Sequence, residues 1–167
     1  EGASGGGGGG GGSAGGGGAG GARARFAGTR KSDRADREAV GIAVTRDDIA
    51  RAYDAAEPQT IEALKFARDR IRSHHERQRP KDDRYTDAAG VELGWRWTAI
   101  EAIGLYVPGG TASYPSSVLM NAVPAQVAGV ERIVMVVPAP GGIITPLVLV
   151  AADLACISEI YSVGGAP

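Results

Sequence analysis

The stretch GLYVPGG, residues 104–110, holds the residues best suited to chemistry. Tyr106 offers a flat ring and a hydroxyl, and Pro108 fixes its own φ. Gly109 and Gly110 allow positive φ and a close approach of backbone to a ligand. Contact with a nucleotide coenzyme is the chemistry such a turn could serve. Yet a turn between strand and helix favours Gly and Pro whatever its role, and PGGTA matches neither the G-x-G-x-x-G fingerprint nor the P-loop. Composition and spacing leave both readings open, a plain turn or the floor of a nucleotide site.

Other reactive side chains are sparse. His74 and His75 are neighbours in sequence, so on a helix they point about 100° apart and do not form the i, i+4 pair that grips one metal ion. Their place near a helix C-terminus is explained by the dipole, which favours cations there. The single cysteine, Cys156, excludes an internal disulfide framework and a cysteine-based zinc cluster. A basic run, RARFAGTRKSDRADR (Arg23–Arg37), reads as a solvated arm. Phe26 stands alone where base stacking would need several aromatics, and a net charge of −1 with a pI near 6.2 gives no field toward nucleic acid. No apolar run reaches the roughly 18–20 residues that span a bilayer, and no signal-peptide pattern opens the sequence. The expectation is a cytoplasmic protein with no membrane or nucleic-acid partner.

Positioning a turn at residues 107–112 requires a strand before it and a helix after it. The 167 residues divide by composition into three parts. Residues 1–44 are a Gly-rich then Arg-rich arm, expected to be disordered because polyglycine cannot bury enough apolar surface to offset its backbone entropy. Residues 45–99 form the helical and β part of a first domain. Thr45, with Asp48 three residues on, marks a helix N-terminus, and Pro58 restarts a helix whose apolar stripe is Ile61, Leu64, Ala67 and Ile71. Val91, Leu93, Trp95 and Trp97 alternate with polar or small residues, predicting a strand with one buried face on which the tryptophans are packing anchors.

Residues 100–167 change to strands separated by helical lengths. Ile103, Leu105 and Val107 form one strand, RIVMVV (Arg132–Val137) a second, and EIYSV (Glu159–Val163) a third. Between the first two, Pro115 opens a helical segment that Pro124 should kink or divide. Between the second and third, Thr145 is the N-cap and Pro146 the first helical residue. The fold class is α/β: helices and a β segment, then a truncated Rossmann-like βαβαβ unit with a parallel sheet covered on both faces. Ligands of such sheets lie beyond the carboxyl ends of the strands. The third strand leaves an edge open to pairing.

The wording of the sequence is more specific than its spacing. GLYVPGGTASYPSSVLMNAVPAQVAGVERIVMVVP, EIYSVGGA, HERQRP and GVELGWRWT together resemble the histidinol dehydrogenase family over about residues 45–166. The resemblance implies NAD-dependent oxidation of L-histidinol to L-histidine through the aldehyde, a bound zinc ion, a homodimer and incomplete Rossmann-like domains. It marks Tyr106 as an NAD contact, with Pro108, Gly109 and Gly110 around it. Family members continue VGGAQA with a glutamine that also contacts NAD; Pro167 stands there and has no side-chain amide. The zinc ligands and the Glu-His pair that handles protons follow later in the family and have no counterpart here. The expectation is an N-terminal portion without catalytic or metal-binding residues, inactive alone. The alternative is a non-catalytic nucleotide-binding or split-subunit module.

Overall fold

The computed structural model describes residues 42–108 and 114–163. Most of the glycine- and arginine-rich arm lies outside the described residues, as do Gly109 and Gly110. Four α-helices, five strands and a short 3₁₀ turn follow one another within that span.

Helix α1 (Arg46–Ala55) begins as the sequence dictates. The Thr45 hydroxyl accepts from the Asp48 N–H at 3.2 Å, and the Asp48 carboxylate accepts from the Thr45 N–H at 2.7 Å. That reciprocal box satisfies two donors that a helix start leaves bare. Helix α2 (Pro58–Glu76) opens on its proline. It buries Leu64 and presses Ile61, Ala67 and Ile71 against the core.

The α/β class is borne out. Strands β3 (Ala102–Tyr106), β4 (Arg132–Val137) and β5 (Glu159–Ser162) form a parallel sheet in the order β3-β4-β5. Helices α3 (Pro115–Ala128) and α4 (Pro146–Leu154) are the connections between them. In register, Leu105, Met135 and Ile160 lie side by side and point into the core. There they meet Val118, Leu119 and Val123 of α3 and Val148, Leu149 and Ala152 of α4, together with Ala52 and Leu64.

Only one face of the sheet is packed this way among the described residues. The intervening positions Gly104 and Tyr106 are exposed, and Val134, Val136 and Tyr161 are half-buried. The expected cover on both faces is therefore corrected: strand burial alternates as it does when a sheet has a single packed side. The third-strand edge is likewise not left open. Residues 42–44 run antiparallel beside β5, with the Val44 N–H donating to Ile160 and the Ser162 N–H to Ile42 at 2.9 and 2.7 Å.

Pro124 does not divide its segment. α3 runs through it as one helix, because Ala122, Val123 and Val127 around it are buried and hold the segment in place. Thr145 occupies the N-cap of α4, but its side chain makes no capping hydrogen bond.

The largest correction concerns residues 83–97. Asp83–Thr86 (β1), which alternation did not mark, pairs antiparallel with Glu92–Trp95 (β2), and Trp97 lies beyond the strand. The alternation is real, but no layer among the described residues covers the apolar side: Leu93, Trp95 and Trp97 are 42%, 51% and 60% exposed. The two strands come very close at Gly94, where a Cβ would collide with the Asp83 carbonyl oxygen.

Candidate coenzyme-contact site

Alternation along β3 sends Leu105 and Val107 into the core and Tyr106 and Pro108 to the other face. The Val107 N–H donates to Val136 at 2.9 Å, which continues the ladder past the strand and fixes the direction of Tyr106. Tyr106 is 64% exposed, at the carboxyl end of β3 and opposite Val136 of the central strand. Of the turn that follows, Pro108 is described and exposed, whereas Gly109 and Gly110 lie outside the described residues. The described residues continue from Tyr114, the N-cap of α3, whose side chain makes no cap. The first turn of a fourteen-residue helix thus begins at this end of the sheet with no side-chain cap among the described residues.

Gly104 is the residue that sequence reasoning passed over. Two positions before Tyr106 and on the same face, it has open space where a Cβ would stand. No contact among the described residues requires glycine there, and a glycine inside a strand is one of the marks of a close backbone approach. A glycine inside an apolar strand was the available signal.

Farther along the open face, Arg132 holds Glu159 through two hydrogen bonds of 2.7 and 2.8 Å. The Arg132 guanidinium, and after it the Tyr161 hydroxyl, keep the Glu159 carboxyl below its ordinary range. This pair stitches β4 to β5, and an exposed ion pair of this kind adds little stability.

The histidines are placed as expected, in the last turn of α2, with ring centroids 5.2 Å apart and edge to face. Among the described residues no three His, Cys, Asp or Glu side chains form a group able to hold a metal ion. A cleft of about 600 Å³ lies beside His75 and Trp97, and another of about 280 Å³ beside Thr45 and Ile143. Tyr106 lines neither. Its ring is a surface for a flat group to lie against, on a sheet face that no described residue packs over.

The histidinol dehydrogenase family profile matches residues 18–167, reaching further upstream than the resemblance visible in the sequence motifs. A histidinol dehydrogenase from Mesorhizobium japonicum is 80% identical over 138 residues, covering 83% of this chain and 32% of the relative. Those of Brucella abortus and Rhodopseudomonas palustris are 74% and 62% identical. The crystal structure of histidinol dehydrogenase from Elizabethkingia anophelis superposes with a TM-score of 0.80 at 34% identity, covering 86% of this chain and 33% of that one. The chain spans about a third of the length of these relatives. With a profile match over most of its residues and a solved relative of the same fold, the chain belongs to the histidinol dehydrogenase family.

Proposed function

We propose that this chain supplies a coenzyme-contacting part of an NAD-dependent oxidation of L-histidinol to L-histidine by way of L-histidinal. The observation that carries the reading is the place of Tyr106, exposed at the carboxyl end of a parallel strand where nucleotides bind in open α/β sheets. Tyr106 gives NAD a flat contact, and Pro108, Gly109 and Gly110, which follow it in sequence, contact the same coenzyme. The uncapped first turn of α3 favours an anion such as a pyrophosphate nearby. NAD supplies the hydride acceptor.

Zinc, which would polarise the alcohol oxygen, does not fit the described residues, among which no three His, Cys, Asp or Glu side chains come together. Its ligands and the proton-handling pair belong to parts of the family polypeptide outside this sequence, so the chain is inactive by itself. As parts of the same proposal, the protein is cytoplasmic, acts on a small-molecule substrate, associates as a homodimer, and binds neither membrane nor nucleic acid.

Two measurements test this. An assay of the purified chain with L-histidinol, NAD and zinc should show no turnover above a blank; histidine formation would overturn the inactivity. Titration with NAD should show that Tyr106→Ala weakens binding roughly fivefold, the loss of about 1 kcal/mol of ring contact. Equal affinity for both proteins would remove Tyr106 from the site. A second reading, a non-catalytic nucleotide-binding or split-subunit module, is favoured by the span of only 32% of a close relative.

A further inference from the structure

The cleft beside His75 and Trp97 is left unused by the coenzyme reading and lies at the other end of the sheet. Ala99 in its lining precedes β3, and Ala128 closes α3 ahead of β4, so the cleft sits at the amino ends of the strands. Tyr106 stands at a carboxyl end. At about 600 Å³ the cleft is of the size that takes small organic molecules. Pro124 and the buried Val127 of α3 give it an apolar lining, and Trp97, 60% exposed, borders it.

Its polar lining is held in place and is cationic. The Trp95 indole N–H donates to the Lys81 carbonyl at 3.1 Å, and the Trp97 N–H donates to the Asp82 carboxylate at 2.8 Å. Both bonds tie the segment that carries Arg79 and Lys81 to the ribbon β1–β2. Neither Arg79 nor Lys81 has a side-chain hydrogen bond or ion pair with another described residue. From Arg70 to Asp82 five cations meet two carboxylates, in a chain whose net charge is −1. Helices α2 and α3 both end here, and the partial negative charge of a helix end opposes an anion. The carbonyls of His74, His75, Ala125 and Gln126 already accept from the amides that follow the helices, which leaves side-chain charge to set the field.

We propose that this cleft binds a small anion built on a flat ring, an aromatic carboxylate or phosphate ester. The ring lies against Trp97 and Pro124, and the anionic group lies between Arg79 and Lys81. Ring stacking on an indole and charge-assisted hydrogen bonds are the contacts these residue types make best. A saturated anion forgoes the first, and an uncharged ring forgoes the second.

Titration calorimetry of the whole chain with phenyl phosphate, benzoate and the saturated cyclohexyl phosphate tests the site. Phenyl phosphate should bind about fivefold more tightly than cyclohexyl phosphate, and its rank against benzoate names the anionic group. Arg79→Gln, Lys81→Gln and Trp97→Leu should each weaken phenyl phosphate about fivefold. Circular dichroism should not change, since all three side chains are exposed. Arg70→Gln, which removes the guanidinium over the Phe66 ring and lies outside the cleft, should bind as wild type, as should Tyr106→Ala. No binding of phenyl phosphate or benzoate, equal affinity for the saturated anion, or wild-type affinity in all three cleft variants overturns the site. Loss of phenyl phosphate binding in Tyr106→Ala also overturns it, by moving the probe to the coenzyme face. NAD titration remains the separate measure of the coenzyme reading.

Discussion

Tyr53 shows what a single residue contributes that sequence could not reveal. Its hydroxyl donates to Asp153 at 2.9 Å across a separation of 100 residues, tying α1 to α4. Burial first, and then the neighbouring carboxylate, push its pKa up to about 12 from an ordinary 10.0. The folded state therefore favours the protonated phenol. That contribution is complete below pH 10 and is lost as pH rises from 10 through about 12. Tyr53→Phe should lower stability by about 1–2 kcal/mol at neutral pH and flatten the fall above pH 10, measured by urea unfolding across the alkaline range. From sequence, Asp153 reads only as a charge that interrupts an apolar run. The Arg72–Gln126 hydrogen bond of 2.9 Å, and that from Gln126 to the Ala155 carbonyl, escape notice for the same reason. Partners chosen by tertiary packing leave no local pattern. The wording of the sequence singles out Tyr106, whereas its exposure came only from the structure.

The elements divide between those whose ends are written locally and those whose surroundings decide them. Thr45 with Asp48, Pro58, and the apolar run of β4 specify their structures through short-range bonding and steric rules, and the observed bounds follow them. Helix ends are only half legible. α3 closes with Gly129 at φ 94°, and the bonds Gly129 to Gln126 and Val130 to Ala125 complete a left-handed cap. α4 closes the same way, with Cys156 to Asp153 and Ile157 to Ala152, yet the left-handed residue is Cys156 at φ 50°. Glycine announces the first cap and nothing announces the second. Because a side chain disfavours that conformation, Cys156→Gly should raise stability by up to about 1 kcal/mol, and Cys156→Val should lower it. Thermal unfolding under reducing conditions would show both. For β2 the period of two was legible and for β1 it was not, and burial depends on what else is present, which no periodicity encodes.

For the whole molecule, the centre is the row Leu105, Met135 and Ile160 beneath α3 and α4. Met135 is wholly buried on the central strand, so Met135→Ala should cost about 2–5 kcal/mol, read from the urea midpoint. That is a large share of the roughly 5–15 kcal/mol that holds a domain together, so a partly unfolded population is the expected outcome. The parallel order was legible because apolar strands alternated with helical lengths. The bare face was not, since nothing in a strand's own residues states whether a second layer exists. Ile42–Val44 decides what the sheet cannot become. With the Val44 and Ser162 amides engaged across that seam, an incoming strand finds the outer rungs beside β5 already occupied. Filament growth by strand addition cannot begin on those rungs of β5, and a protease that cut at this seam would free them.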